Sequence, residues 1–222
     1  MTAASRPGRP PPEWLTRLAA KTVELSVPAP MRPPPGGGRA SAVLLLFGET
    51  DGEPDLLIVQ RSPWLRRHAG QPAFPGGAIE PADDGPVAAA LREAAEEAGV
   101  AAAGVDVLAV LPELYIARSG FRVTPVLAWW RQPVPVAGSH DGEIVSAARA
   151  RLADLADPAN RLMVRHPSGF AGPAFRVHGM LIWGFTAALV DRLLSLGGWE
   201  RPWDREHAED LPADVVKAAA RG

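Results

Sequence analysis

The 222-residue sequence predicts an α/β chain of the α+β type, in which a mixed β-sheet is sandwiched between helices as three layers, α/β/α. Three observations point there. Compact apolar runs bounded by glycine, proline and acidic residues read as strands. Stretches rich in alanine, leucine and charged side chains read as helices. The two kinds interleave without the strict alternation of a doubly wound parallel sheet.

Residues 13–25 place Trp14, Leu15, Leu18 and Ala19 at helical spacing behind a proline run, so one short docking helix is expected there. Residues 42–47 and 56–59 are apolar runs around the polar loop 48–55, which predicts two strands. Residues 86–98 lack glycine and carry valine, alanine, leucine, arginine and glutamate, with Pro86 in the first turn and Gly99 as the stop, the profile of a helix. Residues 107–116 and 121–130 flank a short turn at 117–120 and predict a second strand pair, with Trp129 and Trp130 as alternating strand residues. A final helix is expected over 182–196, stopped by Gly197 and Gly198.

The chain divides by texture. Nine of its 24 prolines precede residue 38, and Gly36, Gly37 and Gly38 close that stretch, so residues 1–38 read as a Pro/Gly-rich N-terminal extension with one helix. Residues 39–198 form the principal domain, and 199–222, charged and carrying two tryptophans, are a C-terminal tail to which the sequence assigns no role. A formal charge of −2 gives no bulk field to recruit nucleic acid or an anionic membrane. Zero cysteines exclude disulfides, thiolate nucleophiles and cysteine-ligated metal. No run approaches the length of a membrane span, and the N-terminus lacks a signal-peptide apolar region, so a cytoplasmic location is expected. Oligomeric state, a homodimer included, stays open.

Within the 86–98 helix, Glu93, Glu96 and Glu97 fall at about 0°, −60° and +40° around the axis, so three carboxylates share one face. Like charges at these spacings oppose helix formation by roughly 0.2–0.5 kcal/mol per pair. A solvated Glu/Arg face is one reading; a bound hard cation, magnesium, manganese or calcium on oxygen ligands, is the other. Upstream, Gly76 and Gly77 let backbone approach a ligand without side-chain obstruction. An acidic loop, 80–84, leads from there into the helix.

Gly77 followed by Arg92-Glu93-Ala94-Ala95-Glu96-Glu97-Ala98-Gly99-Val100 resembles the Nudix box, G-x5-E-x7-R-E-U-x-E-E-x-G-U with U aliphatic. Gly77 stands one position further from Arg92 than in the generic box, and Asp83 takes the place of its first glutamate. Both departures resemble the coenzyme A pyrophosphatase branch. Leu57-Ile-Val-Gln-Arg-Ser62, Arg66, Gly70 and Phe74-Pro-Gly-Gly77 are similar to that branch's second signature, L-L-T-x-[RT]-[SA]-x3-R-x3-G-x3-F-P-G-G.

The resemblance implies a Nudix fold and a hydrolase dependent on Mg2+ or Mn2+ that cleaves coenzyme A or its derivatives to 3′,5′-ADP and 4′-phosphopantetheine. Another nucleoside diphosphate derivative, such as ADP-ribose or a dinucleotide, is the alternative substrate, and a non-catalytic nucleotide-binding module the alternative class. Glu93, Glu96 and Glu97 are implied as metal ligands, with Glu96, Glu97 or Glu143 as catalytic carboxylates and Arg92 as an orienting residue. Arg61, Ser62, Arg66, Gly70, Phe74, Gly76 and Gly77 are implied on the substrate side. Phe74 reads as core rather than as a stack for the adenine, Asp83 as a supporting acid or a helix N-terminal one, and the five histidines as structural or exposed, His68 being the exception to watch.

Overall fold

A computed structural model of the chain describes residues 9–23, 25–64, 69–136, 139 and 142–219. Arg66, His68 and His140 lie outside the described residues.

The chain begins with α1 (Glu13–Val23), then the hairpin β1 (Arg39–Thr50) and β2 (Glu53–Arg61), followed by two short strands, β3 (Pro72–Ala73) and β4 (Gly76–Ala78). Helix α2 (Gly85–Ala98) is the carboxylate helix; β5 (Val105–Val110), β6 (Leu114–Ile116), β7 (Phe121–Trp130) and β8 (Ile144–Arg151) follow. The C-terminal half adds α3 (Leu152–Ala156), β9 (Arg161–Arg165), β10 (Ala171–Val177), β11 (Met180–Ile182), α4 (Gly184–Gly197), β12 (Ala208–Asp210) and α5 (Ala213–Ala219).

β1 sits at the centre of an eight-stranded sheet, parallel to β7 and antiparallel to β2 and β4. β8 extends the sheet beside β2, and β5 and β6 both pair antiparallel with β7. The sheet is therefore mixed. A central parallel pair is covered on both faces, which is why β1 and β7 read as continuous apolar runs. Their alternation divides two cores. Ala42, Leu44, Leu46, Val126, Ala128 and Trp130 face Ala89, Ala90, Ala94 and Ala98 of α2. Leu45, Phe47, Leu127 and Trp129 face the other way, toward α1, α4 and the second sheet. The three-layer expectation is met.

Two elements differ from the sequence reading. The expected strand over 107–116 is two strands, because Pro112 has no N–H to continue a ladder and the β5/β7 register shifts between Val107 and Ala109. The final helix starts at Gly184, since Ile182 is spent pairing with Phe175 in β11. The stretch after residue 198 carries structure: β12 pairs in parallel with β9 in a sheet ordered β11-β10-β9-β12, and Leu211 is buried with Leu162, Val164 and Ala174. Among the described residues no helix is long and apolar enough to cross a membrane.

Candidate active site

Helix α2 brings its acidic face against β4. Gly76 and Gly77 are β4 residues registered opposite Val43 and Ala42 of β1, and neither has a left-handed backbone. What both positions need is space. A Cβ at Gly76 would stand 2.7 Å from Val43 Cα, and one at Gly77 would stand 2.5 Å from Glu93 Cδ. The glycines thus let the helix carboxylates close onto the strand, a tighter use than the open ligand loop that the sequence suggests.

Glu97 is 5% exposed. Its carboxylate accepts the Gly76 N–H at 3.0 Å and a bond from Arg61 Nη1 at 3.2 Å. Burial still pushes its pKa up to about 7, against the opposing pull of the Gly76 N–H and Arg61, with Glu93 and Glu143 adding repulsion. Glu93 is shifted upward too, again chiefly by burial. In both neighbouring carboxylates burial thus disfavours the charged form, although Arg61 and Arg92 stand beside them.

Arg92 organises the outer side of the helix. Its Nε and Nη2 fork onto both oxygens of Asp83 at 3.0 Å, Nη1 reaches Glu93 at 3.0 Å and Glu96 at 3.1 Å, and Nη2 also donates to Ala78 O at 3.1 Å. Asp83, which also accepts the Glu80 N–H at 2.8 Å, is thus an anchor for Arg92, and that ion pair holds its carboxyl below the usual range. Glu96 is drawn outward, its side chain 59% exposed.

At the end of β2, Arg61 pairs with Glu143 as well as Glu97, bringing the residue before β8 to the carboxylate helix. Ser62 is buried; its N–H donates to Glu143 O at 2.7 Å, and its carbonyl accepts the Gly70 N–H at 3.1 Å. Gly70 has φ +68, a conformation that suits glycine in that turn. Phe74 is 2% exposed inside the core, in line with its reading as a core residue. The structure thus gathers Glu93, Glu97, Glu143, Arg61, Gly76 and Gly77, and leaves Glu96, Ser62 and Phe74 off the inner surface.

Comparison with known proteins follows this geometry. The NUDIX domain model matches residues 38–167, more than half of the chain. The chain belongs to the Nudix family. Among the proteins similar to this Nudix chain are two carrying the name "Uncharacterized Nudix hydrolase NudL". The one from Cronobacter sakazakii is 40% identical over 157 residues, covering 68% of this chain and 78% of the relative. The one from Escherichia coli K12 is 38% identical over 148 residues, covering 64% and 74%. Among solved structures, the Nudix hydrolase RenU from M. smegmatis matches with TM-score 0.52 and 22% identity, over 75% of this chain and 90% of that one; this is a likeness of Nudix fold.

The family implies a divalent cation. Among the described residues no three histidine or acidic groups already converge as a cage. The donors nevertheless fit: they are oxygen only, the buried Glu97 and the half-buried Glu93 stand on one face of α2 where burial disfavours their charged forms, and magnesium commonly takes one or two carboxylates with water and substrate phosphate completing its shell.

Proposed function

We propose that this Nudix hydrolase is a divalent-metal-dependent pyrophosphohydrolase that cleaves the diphosphate of coenzyme A or a derivative to 3′,5′-ADP and 4′-phosphopantetheine. The observation that supports the metal-dependent chemistry is the pair Glu93 and Glu97, held close against Gly76 and Gly77 on one face of α2. The substrate class is supported by the signature from Leu57 to Gly77, whose spacing is kept without a gap while Ile58 and Val59 replace its second leucine and its threonine.

On this reading Glu93 and Glu97 hold the cation, with Glu96 available once Arg92 releases it. A bound Mg2+ or Mn2+ supplies an acidified water and neutralises charge on the diphosphate. The residues around it do the rest. Arg92, clamped by Asp83, fixes the orientation of Glu93. Arg61 offers a planar fork suited to two phosphate oxygens. Glu143, its side chain 41% exposed where Glu97 is closed off, accepts the proton of the attacking water; the new P–O bond forms as the bridging P–O bond breaks. Replacing such a proton acceptor costs about 10²–10⁴-fold in rate, so Glu143→Gln is expected to lower kcat within that range while leaving metal affinity near wild type.

The deciding experiment is a substrate panel run with Mg2+ and with Mn2+, with products weighed by mass spectrometry. Coenzyme A is expected to give 3′,5′-ADP. Equal efficiency on coenzyme A lacking its 3′-phosphate, or on ADP-ribose, would overturn the substrate assignment.

A further inference from the structure

The carboxylates this reaction needs are already occupied, and the occupant is a cation of the chain itself. Arg61 ends β2 where the β2/β8 register shifts between Gln60 and Arg61, leaving Arg61 opposite Ile144. Its side chain is 18% exposed, with Nη1 on Glu97 at 3.2 Å and Nη2 on Glu143. Nε is buried and has no hydrogen-bond partner. A guanidinium in this setting is held by two carboxylates while part of its own donor set goes unmet.

Such a part-buried pair gains little net stability, because desolvation of the partners offsets much of the attraction. A divalent cation neutralises the same oxygens with twice the charge and by direct coordination at about 2.0–2.1 Å for magnesium. It is the stronger competitor for Glu97. We propose that Arg61 is the resident counter-ion of the metal site: it holds Glu97 and Glu143 when no divalent cation is bound, and is released from Glu97 when one binds, freeing its fork for the substrate's diphosphate. This rests on the metal-dependent reading above. It adds an order of events, in which cation binding makes the phosphate-binding arginine available. By thermodynamic reciprocity the two ligands then favour one another through a single side chain.

The metal alone is the probe. In calorimetric titration of the full-length, chelator-stripped protein, Arg61→Met is expected to bind Mn2+ about tenfold more tightly than wild type, and Arg61→Lys, which keeps the charge, within about threefold of it. Unchanged or weaker binding by Arg61→Met overturns the proposal. A crystal structure of the wild-type protein with Mg2+ needs no variant: the Arg61 guanidinium is expected beyond 4 Å from Glu97, the usual limit of an ion pair. Arg61 still bonded to Glu97 beside a bound ion overturns the proposal as well. If the ion displaces Arg61 but coenzyme A is not cleaved, the substrate reading fails and this one stands. If coenzyme A is cleaved while Arg61 stays in place, the reverse holds, and a protein that binds no Mn2+ overturns both.

Discussion

If Glu97 holds the cation as proposed, it sets function and stability in opposition at a single side chain. Its folded-state pKa of about 7 lies above the ordinary 4.5, so the folded chain keeps this proton where the unfolded chain has lost it. The sign follows from linkage: the contribution to stability is full below about pH 4.5 and is lost as pH rises toward 7, about 3 kcal/mol in all for the metal-free protein. Glu97→Gln keeps the shape and removes the charge. With chelator present, its melting temperature is expected to exceed wild type by several degrees at pH 8 and by much less at pH 5, measured by circular dichroism melts at both. Turnover with metal is expected to vanish. A difference in melting temperature that does not widen between the two pH values would show that the buried charge is not the cause. The adjacent glycines separate the two effects further. Gly77→Ala presses on Glu93 Cδ, the end of a side chain, whereas Gly76→Ala presses on Val43 Cα, which is backbone. The first is expected to lower kcat/KM by more than about tenfold with little loss of stability. The second is expected to cost about 1–3 kcal/mol in urea titration, in line with overpacking a site that cannot relax.

Helix α2 is the element on which these residues depend, and its ends are written in the sequence. Gly99 adopts φ +68; its N–H donates to Ala95 O at 3.1 Å and Val100 N–H to Ala94 O at 3.1 Å, a left-handed cap satisfying the last carbonyls. Gly99→Ala is expected to cost about 1 kcal/mol through the strained left-handed backbone, lowering the melting temperature by roughly 2–4 °C for a chain of this size; an unchanged melting temperature would mean that another contact ends the helix. Local signals of this kind made α2, the β1/β2 hairpin and α4 legible. The glycine–carboxylate pairing was legible only as a motif, since its spacing shows that glycines and glutamates belong together without showing that Gly76 donates to Glu97. The sequence placed Arg61 on the substrate side through its signature, but its ion pairs could not be read. It joins residues 36 and 82 positions away, and pairings at that separation leave no local periodicity. The position of Glu96 was not legible for the opposite reason: helical spacing puts it on the face with Glu93 and Glu97, but its side chain is 59% exposed and paired with Arg92 one turn earlier. The strand β12, only three residues with the sequence Ala-Glu-Asp, has too little alternation to announce itself.

At the scale of the whole molecule, the face of the main sheet opposite α2 needs a cover, and α1 supplies much of it. Leu15 and Leu18 are buried with Leu45, Phe47, Leu127 and Trp129. Trp14 meets Phe47, Trp129 and Trp199 edge to face at 5.8, 6.5 and 5.2 Å. Lys21 adds a tie to α4 through Leu196 O at 2.9 Å. Helix α1 therefore joins the N-terminal segment, the sheet and Trp199, just beyond α4, in one core. Its amphipathic spacing foretold docking, and the site lies across the sheet from it, with Leu44 and Leu46 facing α2 while Leu45 and Phe47 face α1. A defect in α1 should thus reach catalysis only through global stability. Leu18→Ala, at 1% exposure, is expected to cost about 2–5 kcal/mol, the range for truncating a buried leucine. At temperatures where the variant remains folded, kcat and KM are expected to match wild type, with the loss appearing in urea titration and in the inactivation rate on heating. A Leu18→Ala protein that is stable but catalytically impaired would show that α1 communicates with the carboxylate helix through the sheet, and the two faces would then have to be treated as one coupled unit.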